Sequence, residues 1–158
     1  MEKSAVFVDR ARIFVKAGSG GDGCQSLYRD RYTRYPKPDG GCGGDGGDII
    51  IKSSKDLLTL LDFKYRQHFK SEDGKNGSGK NKRGADGDDR VILVPAGTIL
   101  RDVSTGLLIR DIARLDEEVL VAKGGRGGRG NKAIRDSEEG KEGEEKEILL
   151  ELKLLADV

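Results

Sequence analysis

Tryptophan is absent from this 158-residue sequence, and methionine, histidine, cysteine and proline are scarce, at one, one, two and three residues. Each shortage excludes something. Cys24 and Cys42 have 17 residues between them, which fits neither a Cys-x-x-Cys site nor a disulfide framework. Two reduced thiols suit a cytosolic compartment. The lone histidine, His68, lies on the polar side of its segment and leaves no histidine-based metal set or catalytic triad. No apolar run approaches the roughly 20 residues that a membrane span needs. The chain opens Met1-Glu2-Lys3 without a secretory or Arg-rich targeting pattern. A net charge of only +1 argues against a disordered polyelectrolyte. Leu, Ile, Val and Phe form about a quarter of the residues, above the roughly 20% below which disorder prevails.

Alternation of apolar and polar residues is the main local signal. Ala11, Ile13 and Val15 alternate with Arg12 and Lys16; Phe63, Tyr65 and Phe69 alternate with Lys64, Arg66, His68 and Lys70. Period two predicts strands with one face on a core, here over 11–16 and 63–70. Short apolar runs at 48–52, 91–94, 98–101, 107–110 and 118–122, and the alternating leucines from Leu150, extend the pattern. About eight strands joined by turns such as Pro95-Ala96-Gly97 predict a mainly β protein, an antiparallel barrel or sandwich. The stretch 56–61 reads equally as a helical turn or a strand.

Glycine is in excess: 24 residues, about twice the usual share. It comes in clusters with a period of three, as in Gly43-Gly44-Asp45-Gly46-Gly47-Asp48 and Gly124-Gly125-Arg126-Gly127-Gly128-Arg129. Three is the repeat of the polyproline II helix, and glycine lets such helices pack backbone to backbone. Gly43, Gly44, Gly46, Gly47, Gly124, Gly125, Gly127 and Gly128 are therefore expected to be structural. Asp45 and Asp48 are placed to accept hydrogen bonds from glycine N–H groups. Flexible linkers are the alternative, but linkers hold no strict triplet register.

The near-neutral charge conceals segregation. Arg29, Arg31, Arg34 and Lys37 oppose only Asp30, and Tyr28, Tyr32 and Tyr35 are interleaved with them. Lys75, Lys80, Lys82 and Arg83 form a second basic run, and Lys123, Arg126, Arg129, Lys132 and Arg135 a third. The stretch 136–147 reverses sign and reads as a solvated connection. If the glycine clusters bundle, the first two basic runs emerge at one end, and the third can join them. A cationic tip with aromatic faces suits RNA phosphates and unpaired bases. Gly74–Asn81 comes within one residue of a phosphate loop, but Asn81 replaces the hydroxyl that holds Mg²⁺, and the flanks lack the buried strand and the helix. A nucleotide-binding enzyme built on it is a rival reading.

Several motifs resemble those of the N-terminal domain of Obg GTPases, which assemble the large ribosomal subunit: Leu27-Tyr28-Arg29-Asp30-Arg31-Tyr32, Pro38-Asp39-Gly40-Gly41, Val94-Pro95-Ala96-Gly97-Thr98, Gly124-Gly125-Arg126-Gly127-Gly128-Arg129-Gly130-Asn131 and Leu150-Glu151-Leu152-Lys153-Leu154-Leu155-Ala156-Asp157-Val158. The resemblance implies a single Obg domain over 1–158. Its barrel would draw on 5–17, 48–70, 91–123 and 147–155, and its protruding knob of glycine-rich helices on about 18–48, 70–90 and 123–135. It implies cytoplasmic binding to the large subunit and its ribosomal RNA near the peptidyl-transferase region, through Arg29, Arg31, Arg34, Lys37, Lys75, Lys80, Lys82 and Arg83. GTP and Mg²⁺ would belong to a GTPase domain expected after Val158, leaving this chain a monomer with no cofactor, metal or catalytic residue of its own. The segment 132–146 departs from the pattern, being shorter and without the family's Phe and Pro. A module that binds ribosomal or stress-signalling proteins is the alternative.

Overall fold

The computed structural model describes residues 6–32 and 34–155. The family-like ending 156–158 lies outside the described residues. The order among the described residues is β1 (Val6–Lys16), β2 (Leu27–Tyr28), β3 (Lys37–Pro38), β4 (Ile49–Ser54), α1 (Asp62–Tyr65), β5 (His68–Lys70), β6 (Arg90–Pro95), β7 (Thr98–Asp102), β8 (Leu108–Ile112), β9 (Glu118–Ala122) and β10 (Glu145–Leu155). The mainly β expectation holds.

The strands form a five-stranded sheet, β5-β1-β10-β7-β8, and a three-stranded sheet, β6-β4-β9, with β2 and β3 apart as a small hairpin. The longest ladder joins β1 to β10 antiparallel, from Val6 opposite Leu155 to Lys16 opposite Glu145. Alternation then puts Ala11, Ile13, Val15, Ile148, Leu150 and Leu152 on one buried face. They share one core with Ile49, Ile51, Ile92, Val94, Val119 and Val121 of the smaller sheet. The two sheets are thus the layers of a sandwich around one apolar centre.

Three expectations need correction. The sheets do not close into a barrel. They end at β5 and β8, and at β6 and β9, and edge strands of three and five residues offer no ladder with the stagger that closure requires. The pairing is not purely antiparallel either: β1 runs parallel to β5, and β4 to β6. Glycine-rich excursions make the crossovers that helices usually supply. Lastly, the segment 63–70 is only partly a strand. Asp9 accepts hydrogen bonds from the Leu60 N–H and the Thr59 hydroxyl, both at 2.9 Å. The chain there curls into α1, where Phe63 donates its N–H to the Leu60 carbonyl. Phe63 and Phe69 still reach the core, while Tyr65 is exposed.

Three excursions leave the sheets and return: β1 to β4, β5 to β6, and β9 to β10. Each contributes an outgoing and a returning segment, and backbone hydrogen bonds tie the six together in rungs three residues apart. In the first rung Gly18 donates to Gly47, Gly47 to Glu72 and Glu72 to Asp88, at 3.0, 2.8 and 3.2 Å. In the second, Gly21 donates to Gly44, Gly44 to Lys75 and Lys75 to Ala85, at 2.8, 2.8 and 2.9 Å. In the third, Cys24 donates to Gly41, Gly41 to Ser78 and Ser78 to Lys82, at 2.9, 3.0 and 3.0 Å. The β9 excursion completes the bundle: Gly46 donates to Gly125 and Gly125 to Gly18; Gly43 donates to Gly128 and Gly128 to Gly21.

The carboxylates of this bundle satisfy N–H groups that the rungs leave over. Asp48 accepts from Gly124 at 2.6 Å and Asp45 from Gly127 at 2.8 Å, as their place in the repeat suggests. Asp86 and Asp89 do the same for the N–H groups of Asp45 and Asp48, each at 2.8 Å. Each N–H from Gly43 to Asp48 therefore has a partner. The acidic run read as a solvated connection is instead the sixth segment. Gly20 donates to Lys141, and Gly23 to Glu138, at 2.8 and 2.9 Å.

Candidate nucleic-acid interface

Because the six segments pass out and back, three connecting loops emerge together at the end away from the sheets. They comprise residues 25–32 and 34–39, which carry the β2–β3 hairpin, residues 79–81, and residues 132–137. Leu27 pairs with Pro38 and Tyr28 with Lys37 in the hairpin.

Ser26, Asp39 and Asn131 clasp the three loops. Asn131 is buried; its Oδ1 accepts the Gly40 N–H at 2.7 Å and its Nδ2 donates to the Ser26 carbonyl at 2.8 Å. The Asp39 carboxylate accepts the Lys80 N–H at 2.9 Å, and the Asp39 carbonyl accepts the Asn81 N–H at 2.6 Å. The Ser26 hydroxyl and the Lys80 N–H hold the Asp39 carboxyl below its usual range, since both bonds favour the ionised form. Lys80 and Asn81 have φ values of 62° and 56°, the pair of left-handed residues that a tight hairpin turn requires. Asp39 thus compensates for backbone strain at the point where a basic side chain is presented.

The first loop presents Arg29, Arg31, Arg34 and Lys37, all exposed. Tyr32 and Tyr35 are 87% and 70% exposed, and the Arg34 guanidinium lies 5.6 Å from the centre of the Tyr35 ring. Asp30 is turned inward to its own loop, accepting from the Tyr32 N–H and the Tyr28 hydroxyl. Lys80 projects from the second loop and Lys82 from the rung that borders it, and Lys132 and Arg135 project from the third loop. None of these eight cations makes an ion pair among the described residues. Most cations on the strands do, among them Arg12 with Glu147 at 3.2 Å and Arg101 with Glu151 at 3.2 Å.

Two expected site residues stand elsewhere. Lys75 belongs to the middle rung, and Arg83 is engaged by Asp86 at 2.9 Å and Asp45 at 3.9 Å along the side of the bundle. Lys132 and Arg135 take their place at the tip. The third basic run divides likewise, with Lys123, Arg126 and Arg129 following the flank. Gly74–Asn81, the near-match to a phosphate loop, forms the third segment and its turn, and no helix follows it. A cavity of about 700 Å³ lies beside Phe14 and His68, whose rings stack 5.0 Å apart. Its lysines are already paired, Lys16 with Glu145, Lys70 with Asp73 and Lys146 with Glu144. Among the described residues no helix is long and apolar enough to cross a membrane.

Residues 8–154 match the family model described as GTP1/OBG. The protein "GTPase Obg" of Persephonella marina is 51% identical over 160 residues, covering 96% of this chain and 47% of its own length. That of Aquifex aeolicus is 47% identical over 166 residues, covering 100% of this chain and 48% of its own length. The protein of the same name from Acetivibrio thermocellus is 45% identical over 161 residues, covering 97% and 38%. The chain therefore spans about half the length, or less, of these curated relatives, and it belongs to the GTP1/OBG family as an N-terminal Obg domain.

Proposed function

We propose that this chain is the ribosomal-RNA-docking domain of an Obg-type GTPase that acts in large-subunit assembly, and that its three tip loops enter the subunit near the peptidyl-transferase region. One observation carries the reading: eight cations that make no ion pair among the described residues, and two exposed tyrosines, are gathered on or beside loops clasped to one another at the end of a hydrogen-bonded bundle. Unpaired cations suit phosphates, and the tyrosine faces suit unpaired bases. The three-residue advance of the rungs supports a polyproline II conformation for each segment, so the bundle is the protruding knob of the resemblance. The relatives' name, GTPase Obg, supports a longer protein that hydrolyses GTP; in this reading GTP and Mg²⁺ bind in a following domain and the protein works in the cytoplasm. In that protein this domain has no catalytic part and serves to dock.

Binding to purified large subunits, measured against salt, tests the proposal. Affinity should fall steeply between about 50 and 200 mM salt, as phosphate contacts demand. The triple variant R31E/R34E/K80E should lose at least about tenfold in affinity with its unfolding midpoint unchanged, and the salt slope should drop by about 3. Unaltered cosedimentation would remove the loops from the interface. A second reading, a protein-interaction module, is favoured by the aliphatic row Val91, Ile50 and Leu120 across the outer face of the smaller sheet. It predicts weak salt dependence and no effect of the triple variant. Micromolar binding of Mg·GTP by this chain in calorimetry would instead favour the enzyme reading.

A further inference from the structure

The last two segments of the bundle run antiparallel, and their cross-chain neighbours are set by three backbone bonds. Glu144 donates to the Lys123 carbonyl at 3.0 Å, Lys141 to the Arg126 carbonyl at 2.9 Å, and Glu138 to the Arg129 carbonyl at 2.9 Å. The outer two rungs therefore match opposite charges. Arg129 and Glu138 form an ion pair at 2.8 Å. The middle rung sets Arg126 against Lys141. Like charges neighbouring across a rung oppose folding, and Glu138, which attracts Lys141, is already engaged by Arg129.

Arg126 and Lys141 are both exposed, and neither makes an ion pair among the described residues. They line a cleft of about 250 Å³ together with Gly127, Gly128, Arg129 and the two acids Glu138 and Glu139. Glu138 is engaged by Arg129 and is also attracted by the Lys141 charge, and Glu139 forms no ion pair among the described residues. The glycines keep the floor of the cleft low. Two cationic side chains over a bare backbone floor can reach one small anion from both sides. The cleft also adjoins the tip, since Arg129 of its wall lies two residues before Asn131 of the clasp.

We propose that the Arg126–Lys141 rung is a phosphate-binding site on the flank of the bundle, which grips the backbone of the RNA whose bases meet the tip. The inference rests on the RNA-docking reading and extends it. RNA would be held at two places, by loops at the end of the bundle and by this rung along its side. The like-charge pair persists because bound phosphate neutralises it, at the expense of the free protein.

The signature is a pair of opposite effects. Lys141→Glu turns the rung into a matched pair, so the unfolding midpoint of the free domain should rise. Its affinity for a fluorescent unpaired ribo-oligonucleotide should fall about three- to tenfold at physiological salt, and the salt slope should shrink by at least about 1. R126E should behave alike, whereas R126E/K141E restores like charge and should lose the added stability while binding RNA most weakly. If K141E and R126E bind RNA as the parent does, while R31E/R34E/K80E does not, the flank site is overturned and the docking reading stands. If the parent domain binds no RNA, both fall. A lowered midpoint for K141E would mark Lys141 as a structural residue and overturn the site.

Discussion

At the scale of single residues, glycine here is required for space. Of the glycines, only Gly97 and Gly106 have positive φ, at 92° and 72°. In the bundle a Cβ built on Gly44 would fall on the Ala85 carbonyl oxygen, and one on Gly127 on the Gly43 carbonyl oxygen, both inside the 3.0 Å that real contacts respect. Relief would mean separating segments that several rungs hold together. Gly44→Val and Gly127→Val should each cost more than about 4 kcal/mol, seen as loss of cooperative thermal unfolding. Gly106→Ala meets nothing within 4 Å and should cost only about 1–2 kcal/mol, the strain of a left-handed residue. Equal losses at Gly106 and Gly44 would deny that close packing selects the glycines. The triplets were legible in the sequence because their spacing is local. Asn131 and Asp39 were not. Asn131 bonds to Gly40 and Ser26, 91 and 105 positions away, and no local pattern announces such a partner.

Among the elements, the β1–β10 ladder was the most legible, since Ile13 and Leu150 follow plain alternation onto a buried face. Leu150→Ala should cost about 2–5 kcal/mol, measured by denaturant unfolding, because Leu150 is fully buried between both sheets. α1 escaped the reading since one helical turn delivers Phe63 to the same core that a pleat would. The sixth segment escaped because Gly140 and Gly143 stand alone among acids, without a paired-glycine triplet. The acids of the bundle make a prediction about pH. Asp73 is held below its usual pKa by the Ser19 N–H, Asp86 by the Asp45 N–H and then Arg83, and Glu138 by Arg129. A depressed carboxyl takes up its proton less readily folded than unfolded. Its contribution is therefore complete above the unfolded value and is lost as pH falls through the folded one. The unfolding midpoint should be level through neutral pH and decline below about pH 4. Asp73→Asn and Asp86→Asn together should flatten that decline; an unchanged acid limb would mean that these bonds do not hold the segments.

For the whole molecule, the sandwich and the bundle stabilise themselves by different means. The sheets bury aliphatic side chains, whereas the bundle has few to bury and relies on backbone hydrogen bonds between segments that carry no regular ladder of their own. Ordering so many glycines costs entropy, and interlocking rungs offset it only if they form together. Cooperative formation also serves the proposed docking. Loops clasped by Ser26, Asp39 and Asn131 on a rigid bundle lose little freedom on binding, so less of the contact energy is spent on ordering them. Native-state amide exchange tests this directly. The N–H groups of Gly21, Gly44, Gly125 and Gly128, each donated at 2.8–2.9 Å within the bundle, should exchange as slowly as those of Ile13 and Ile148 in the core ladder. The exposed hairpin amides near Tyr32 should exchange fast. Asn131→Ala should speed exchange at Gly40, whose N–H it receives, while leaving Gly44 and Gly125 protected. Were the bundle glycines to exchange as freely as the hairpin tip, the segments would be opening independently, and a rigid platform for the basic loops would be lost with them.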